Sequence, residues 1–343
     1  NQTGREEQAN AAVFGLFDEF VFLSTETADL IEPRNFREAW DHPDPTQREK
    51  WRGLIQKEFK DMMKRDVWKM IDRNKKPEGR RCVKHKWVYK IKRDGRFRAR
   101  LVACGYSQVP GVDFTDNYSP VINDVTYRLL LVAQIMFQWK ARIVDVETAF
   151  LHGELEDDVD VYMDCPEGLE DGGPDKCLKL QKTIYGLVQS ARQFFLKLGR
   201  KLKDLGFEQN KADPCLFKRK NELGVVFVGV YVDDCYVVGN KAAVEDVTTG
   251  LQRKTRCAEA FSVTVTDDTS DYLSCDVVFS KDGKRAWLGQ PHLIKNLRKH
   301  FGEDVKGLQR YATPGTPNVT MRLMEGDEHT VGKEDHSKYR TGV

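Results

Sequence analysis

No stretch of this 343-residue sequence approaches the roughly 18 consecutive apolar residues of a membrane span, so no membrane role is expected. Its eight cysteines are scattered without a single C-x-x-C pair, which argues against a zinc site and a disulfide framework and fits a reducing, intracellular compartment. There is no internal repeat, no initiating methionine and no charged-then-apolar leader before the chain stops at Val343. A piece of a longer protein is expected. Net charge is nearly absent as well, +2 from 55 Lys and Arg against 53 Asp and Glu. That balance conceals a separation along the chain. Ile71 to Arg100 carries thirteen basic and three acidic residues, whereas Asp145 to Asp175 carries twelve acidic residues and no Lys or Arg. One stretch suits phosphates and the next suits cations; each taken alone also reads as a solvated charged face.

Pattern supplies the elements. His42-Pro43-Asp44-Pro45 marks a boundary, and residues 1–45 are expected to be a poorly ordered extension. Trp51, Leu54, Ile55, Phe59, Met62 and Met63 then recur at helical spacing. Trp87 to Ile91 and Phe97 to Ala103, around Arg93-Asp94-Gly95-Arg96, predict a basic β-hairpin. Helices are predicted over Tyr127 to Phe137, Ser190 to Leu205 and Pro291 to Phe301, and strands over Ala141 to Val146, Val225 to Val232 and Cys235 to Val238. A further hairpin runs from Tyr272-Leu273 through Phe279 to Leu288. Hairpins mixed with helices imply an α+β fold and not a doubly wound parallel sheet.

Three carboxylates stand out. Asp233 and Asp234 are expected at the tip of an apolar hairpin, and Asp145 ends a separate apolar strand. Aspartate is an ordinary turn and cap residue. Adjacent carboxylates nevertheless repel, a cost that a hard divalent cation cancels, and three of them can hold the two ions of phosphoryl transfer.

The order of segments is more specific. Ala99-Arg100-Leu101-Val102-Ala103, Gly105-Tyr106-Ser107-Gln108, Tyr118-Ser119-Pro120-Val121, Asp145 to Leu155, Ile184-Tyr185-Gly186-Leu187, Ala212-Asp213-Pro214-Cys215-Leu216 and Tyr231-Val232-Asp233-Asp234 follow one another as in copia-type long-terminal-repeat retrotransposon polyproteins. The chain resembles their reverse transcriptase domain from about Glu32 to Tyr339. The resemblance implies a right-hand polymerase. On that reading the fingers span 46–135, the palm 136–285 with a fingers insertion around 156–189, and the thumb and start of a truncated connection 286–343.

It also implies an RNA-directed DNA polymerase that adds deoxynucleotides to a primer on an RNA or DNA template, using two Mg²⁺ or Mn²⁺ ions. Asp145, Asp233 and Asp234 would be the catalytic metal ligands. Phe150, Tyr185, Gly186 and one of Arg98 and Arg100 would meet the nucleotide. Tyr272 and Leu273 would form a primer grip, and Lys295, Arg298 and Lys299 would line a thumb helix along the duplex. The expected partners are primer-template, deoxynucleoside triphosphates and the integrase and ribonuclease H parts of a parent polyprotein. The expected place is the cytoplasm, within a virus-like particle, or the nucleus.

Cys104, Asn123, Ala191 and Ser274 depart from the family's usual lysine, arginine, proline and glycine. A decayed remnant that binds nucleic acid without catalysis is therefore the alternative reading. A different palm-type nucleotidyl transferase would lack the Ile-Tyr-Gly-Leu and Ala-Asp-Pro-Cys segments.

Overall fold

The computed structural model describes residues 31–92, 95–156, 158–256, 259–273 and 275–301. Most of the expected extension, the turn residues Arg93 and Asp94, Ser274, and the end of the expected thumb with the connection lie outside the described residues. In chain order the first elements are α1 (Phe36–Trp40), α2 (Pro45–Lys64), β1 (Trp68–Asp72), β2 (Cys82–Val83), β3 (His85–Ile91), β4 (Phe97–Ala103), α3 (Asp124–Phe137) and β5 (Lys140–Val146). They are followed by β6 (Tyr162–Asp164), β7 (Lys176–Leu180), α4 (Ser190–Asp204), β8 (Glu208–Gln209), β9 (Leu216–Asn221), β10 (Gly224–Tyr231) and β11 (Asp234–Gly239). The last are α5 (Lys241–Leu251), β12 (Val263–Thr266), β13 (Asp271–Tyr272), β14 (Cys275–Phe279), β15 (Ala286–Gly289) and α6 (Pro291–Phe301). The fold is α+β; among the described residues β2 pairs with β6 in parallel, whereas β1–β7, β6–β7, β3–β4, β5–β11, β11–β10, β10–β9, β9–β8, β13–β14 and β14–β15 are antiparallel. Among the described residues no helix is long and apolar enough to cross a membrane.

Two compact units interleave along the chain. Within the described residues, one gathers 31–121, 146–207 and 253–262, and the other gathers 122–145, 208–252 and 263–301.

In the first unit, Trp51, Ile55, Phe59 and Met62 of α2 are buried in one core with Trp87, Tyr89 and Leu101 of the β3–β4 hairpin and with Met163, Leu178 and Ile184. The helix begins where Asp44 caps it, its carboxylate accepting from the Thr46 and Gln47 amides, with Pro45 at the first position, where its missing N–H costs nothing. A four-stranded sheet in the order β1-β7-β6-β2 belongs to the same unit. These strands are two to five residues long and none was predicted, because such short segments show no periodicity.

The extension expected through residue 45 is corrected from Glu32 onward. Asn35 caps α1 by accepting from the Glu38 amide, and the Glu38 carboxylate accepts from the Arg34 amide. This Asn-x-x-Glu arrangement is a variant of the capping box in which the glutamate takes the amide one residue before the cap. Ala39 is fully buried, Phe36 and Trp40 pack on the core, and Glu32 accepts from the Ile91 amide at the hairpin.

The second unit is built on a six-stranded sheet in the order β12-β5-β11-β10-β9-β8. Side chains alternate across its strands, so Val226, Val228, Val230 and Val237, all essentially inaccessible, share one face. Tyr231, Asp234 and Tyr236 share the other. Gly229 leaves room on that second face: a β-carbon there would stand 2.5 Å from Ile122 and 3.3 Å from Leu130. Helix α5, unpredicted, lies against β10 and β11 and buries Ala243, Val244 and Val247.

A single carboxyl in the first core tests its burial. Glu58, on α2, is buried with Oε1 unpartnered, and burial pushes its carboxyl up to about 7 although the Arg100 charge and the Leu101 N–H act the other way. Between about 4.5 and 7 the folded protein holds a proton that the unfolded chain has shed, so stability falls as pH rises through that window. Glu58→Gln is accordingly expected to be more stable than wild type at pH 8 by on the order of 1–3 kcal/mol, with the difference vanishing below pH 5. Urea denaturation at both pH values measures it; a pH-independent difference would deny the carboxyl this role.

Candidate functional site

The apolar run from Val225 to Val230 pairs with Cys235 to Gly239 as one hairpin, with Tyr231 opposite Asp234. The turn is therefore Val232-Asp233, one residue earlier than the Asp233-Asp234 turn expected from the sequence. Asp234 is the first residue of the return strand. Val232 carries a positive φ of 53°, the left-handed region that a β-branched side chain avoids, in a two-residue turn whose first position demands it. Such strain costs about 1–3 kcal/mol and persists only where its surroundings hold it.

Strand β5 lies on the other side of β11, antiparallel, in a register that sets Asp145 directly opposite Asp234. Directly opposed residues project from the same face with β-carbons roughly 4.5–5.5 Å apart. Asp233 follows on the turn, and all three carboxylates are half-buried. Complete burial, reinforced by the charges of Asp234, Asp233 and Asp145, pushes the neighbouring Cys235 thiol upward. Among the described residues no three His, Cys, Asp or Glu side chains are gathered tightly enough to hold a metal ion. The sheet supplies two opposed carboxylates and a third beside them, an all-oxygen donor set of the kind that hard divalent cations prefer. A cleft of about 510 Å³ opens beside Asp234, lined also by Ile143, Tyr231, Asp268, Tyr272 and Leu273.

The aromatic neighbours of this face are Tyr127, Tyr236 and Tyr272, whose rings lie 5.1–5.3 Å apart. Tyr236 donates to Gln134 at 2.5 Å. Tyr272, expected as a contact for nucleic acid, is 3% exposed, with its ring turned into this cluster. Leu273, half-exposed with φ of 55°, makes the turn that follows. Lys295, Arg298 and Lys299 are exposed on α6 at three- and four-residue spacing, as a single helix face requires.

A second constellation stands in the first unit. On the face of the β3–β4 hairpin away from its core, Lys90 is paired with Arg98 and Val88 with Arg100. Like charges opposite one another destabilise a sheet unless an anion compensates. Of the two arginines that the sequence leaves as alternatives, Arg100 has its guanidinium 3.8 Å from the centre of the Tyr185 ring. Phe150 meets the same ring edge-on at 5.2 Å, and its carbonyl accepts from the Thr183 hydroxyl at 2.5 Å. Gly186 is exposed at φ of 84°, and a β-carbon there would fall 2.1 Å from the Ala103 carbonyl oxygen.

Of the positions that depart from the family pattern, Asn123 caps α3 by accepting from Val125 N–H. Ala191 lies in the first turn of α4, where alanine is a favourable helix former. Sequence reasoning missed Thr183, Glu58 and the buried glutamines Gln108 and Gln189. Polar residues inside apolar surroundings were the available signal, but burial was not readable.

The description "Reverse transcriptase (RNA-dependent DNA polymerase)" belongs to the family whose model matches residues 65–302. A retrovirus-related Pol polyprotein from transposon TNT 1-94 of Nicotiana tabacum is 31% identical over 303 residues, 86% of this chain and 21% of that protein. The corresponding polyprotein from transposon RE1 of Arabidopsis thaliana is 35% identical over 298 residues, 85% of this chain and 19% of that protein. The chain thus spans about a fifth of the length of these relatives. Among solved structures, a foamy viral protease-reverse transcriptase in complex with double-stranded DNA matches with a TM-score of 0.40 and 14% identity, covering 71% of this chain and 36% of that one.

The strained turn yields a test independent of activity. Val232→Gly removes the left-handed cost of about 1–3 kcal/mol but adds roughly 0.5–1 kcal/mol of unfolded-state freedom. A net gain of about 1 kcal/mol is expected by chemical denaturation. A loss of stability would show that the valine's packing outweighs its backbone strain.

Proposed function

We propose a function from one premise: the chain belongs to the reverse transcriptase (RNA-dependent DNA polymerase) family. Its reaction is extension of a primer 3′ end by deoxynucleotides, templated by RNA or DNA. The observation that carries this reading is the β5–β11 register, which opposes Asp145 and Asp234 beside Asp233.

Asp145, Asp233 and Asp234, not gathered tightly enough for a metal ion as they stand, would draw together on two divalent ions, Mg²⁺ or Mn²⁺. Such ions, when bound, favour the nucleophilic form of the primer hydroxyl and neutralise charge on the departing pyrophosphate. The chain's own residues bind and orient. Arg100, flat on Tyr185, offers a guanidinium whose fork matches phosphate oxygens, while the stack limits the rotamers it must give up on binding. Phe150, held by the Thr183 hydroxyl at its carbonyl and by Tyr185 at its ring, is a rigid wall suited to excluding a 2′-hydroxyl. Gly186 is required because any side chain would collide with the Ala103 carbonyl, and the exposed backbone beside it is left open to a base or sugar. Lys295, Arg298 and Lys299 suit phosphates of the duplex, by charge and not by sequence.

Asp145→Asn, Asp233→Asn and Asp234→Asn are each expected to abolish most primer extension and to leave duplex binding intact, since each removes a ligand charge and little volume. Extension of a DNA primer on an RNA template, with Mg²⁺ and with Mn²⁺, measures this. Near-normal synthesis by Asp234→Asn would refute the metal assignment. Full binding with no synthesis by the wild type would favour the non-catalytic remnant.

The two arginines are expected to separate. Arg100→Ala should raise the KM for deoxynucleotide by about 10- to 100-fold, the worth of a charge-assisted contact of roughly 1.5–3 kcal/mol. Arg98→Ala should change it far less. Single-nucleotide insertion kinetics decide, and the opposite order would assign the triphosphate to Arg98.

A further inference from the structure

The segment that carries Tyr185 and Gly186 is not part of a helix or a strand, yet it is fastened at several points. Tyr185 accepts at its carbonyl from the Ala103 amide at 2.8 Å, at the end of β4. Ser190 donates to the Ile184 carbonyl at 2.5 Å and closes the loop on itself. The remaining fastening comes from Gln108, in the turn after β4. Its Oε1 accepts from the Val188 amide at 2.8 Å, and its Nε2 donates to Gln189 Oε1 at 3.0 Å. Gln189 Nε2 in turn donates to the Asp113 carbonyl at 2.9 Å. Both glutamines are buried, 7% and 2% exposed, and every polar atom of the chain from Val188 through Gln108 and Gln189 to Asp113 has its partner. The backbones below this bridge are as close as glycine allows: a β-carbon on Gly105 would stand 2.5 Å from the Gly186 carbonyl oxygen.

A buried side-chain amide whose oxygen and nitrogen are both bonded imposes one geometry, since moving either strand of the bridge breaks a hydrogen bond in a dry site. The bridge therefore sets the distance between the 105–113 turn and the 184–189 loop. That distance determines how far Tyr185 lies under Arg100 and how far Gly186 is presented.

We infer that Gln108 is a positioning residue for the incoming nucleotide, acting through the Tyr185–Gly186 loop and touching no substrate itself. The inference rests on the polymerase reading and deepens it. It differs from a packing role in what it moves. A clamp on the nucleotide-contacting loop alters nucleotide capture, whereas a packing defect lowers stability, turnover and duplex binding together.

The experiment is single-nucleotide insertion on a DNA-primed RNA template by wild type, Gln108→Leu and Gln108→Glu, with duplex affinity and thermal midpoint measured on the same preparations. Gln108→Leu removes both ends of the clamp. Gln108→Glu keeps the acceptor for Val188 and loses the donor to Gln189, and serves as the test if the leucine variant does not fold. The KM for deoxynucleotide is expected to rise about tenfold in Gln108→Leu and by an intermediate factor in Gln108→Glu. In both, kcat and duplex affinity are expected to stay within about twofold. A KM unchanged in an active, folded variant overturns the inference and leaves the polymerase reading standing. A parallel fall of kcat, duplex affinity and thermal midpoint overturns it in favour of packing. A wild type that inserts no nucleotide with either metal overturns the polymerase reading, and the inference falls with it.

Discussion

The pairing of β5 with β11 is the constraint on which the arrangement of the three carboxylates depends. Strand pairing has a period of two, so a slip of one residue would turn Asp145 to the opposite face from Asp234. The register is held by what lies on both faces. Val144 and Val237 are completely buried, as are Cys235 and Tyr236, so a slipped strand would bury the aspartate and expose a valine. The cost of that exchange, several kcal/mol for an unpaired buried carboxylate, is far larger than the repulsion between two half-buried carboxylates. Burial of neutral side chains thus enforces an electrostatically unfavourable arrangement that a cation would relieve. The turn follows the same logic: Val232 is forced to a positive φ because both flanking strands are already committed.

The basic hairpin solves a similar problem by another route. Lys90 and Arg98 face each other across β3 and β4, and the core beneath, Trp87, Tyr89 and Leu101, holds them there. Lys90 is also drawn to Glu32, at 3.0 Å, and Arg100 is drawn onto Tyr185. In both units a hydrophobic core holds like charges together on a strand face, acidic in one and basic in the other.

Much of this was legible beforehand, for identifiable reasons. Helices α2, α3, α4 and α6 and the β10–β11 hairpin carry long periodic patterns, and they occur within a few residues of their expected bounds. The Asn35–Glu38 cap is also readable in the sequence, but the prolines that follow it are the stronger local signal, and they mark a boundary. The short strands β1, β2, β6 and β7 were not readable at all, since their pairing partners lie far away in the chain. The turn at Val232-Asp233 was misplaced because Asp-Asp is the better local turn signal; the flanking valines decided the register against it.

What the sequence determined by itself was the kind of the long periodic elements, the identity of the three carboxylates and the family resemblance, because these rest on neighbours along the chain and on the order of motifs. Tertiary structure decided the rest. It opposed Asp234 to Asp145, placed Arg100 and not Arg98 on Tyr185, and turned the Tyr272 ring into a buried cluster. It also bridged Gln108 to Val188 and Gln189. Each of these depends on the register or burial of segments remote in sequence. No local propensity encodes such pairings, because the free energy that selects them appears only when both partners leave water together.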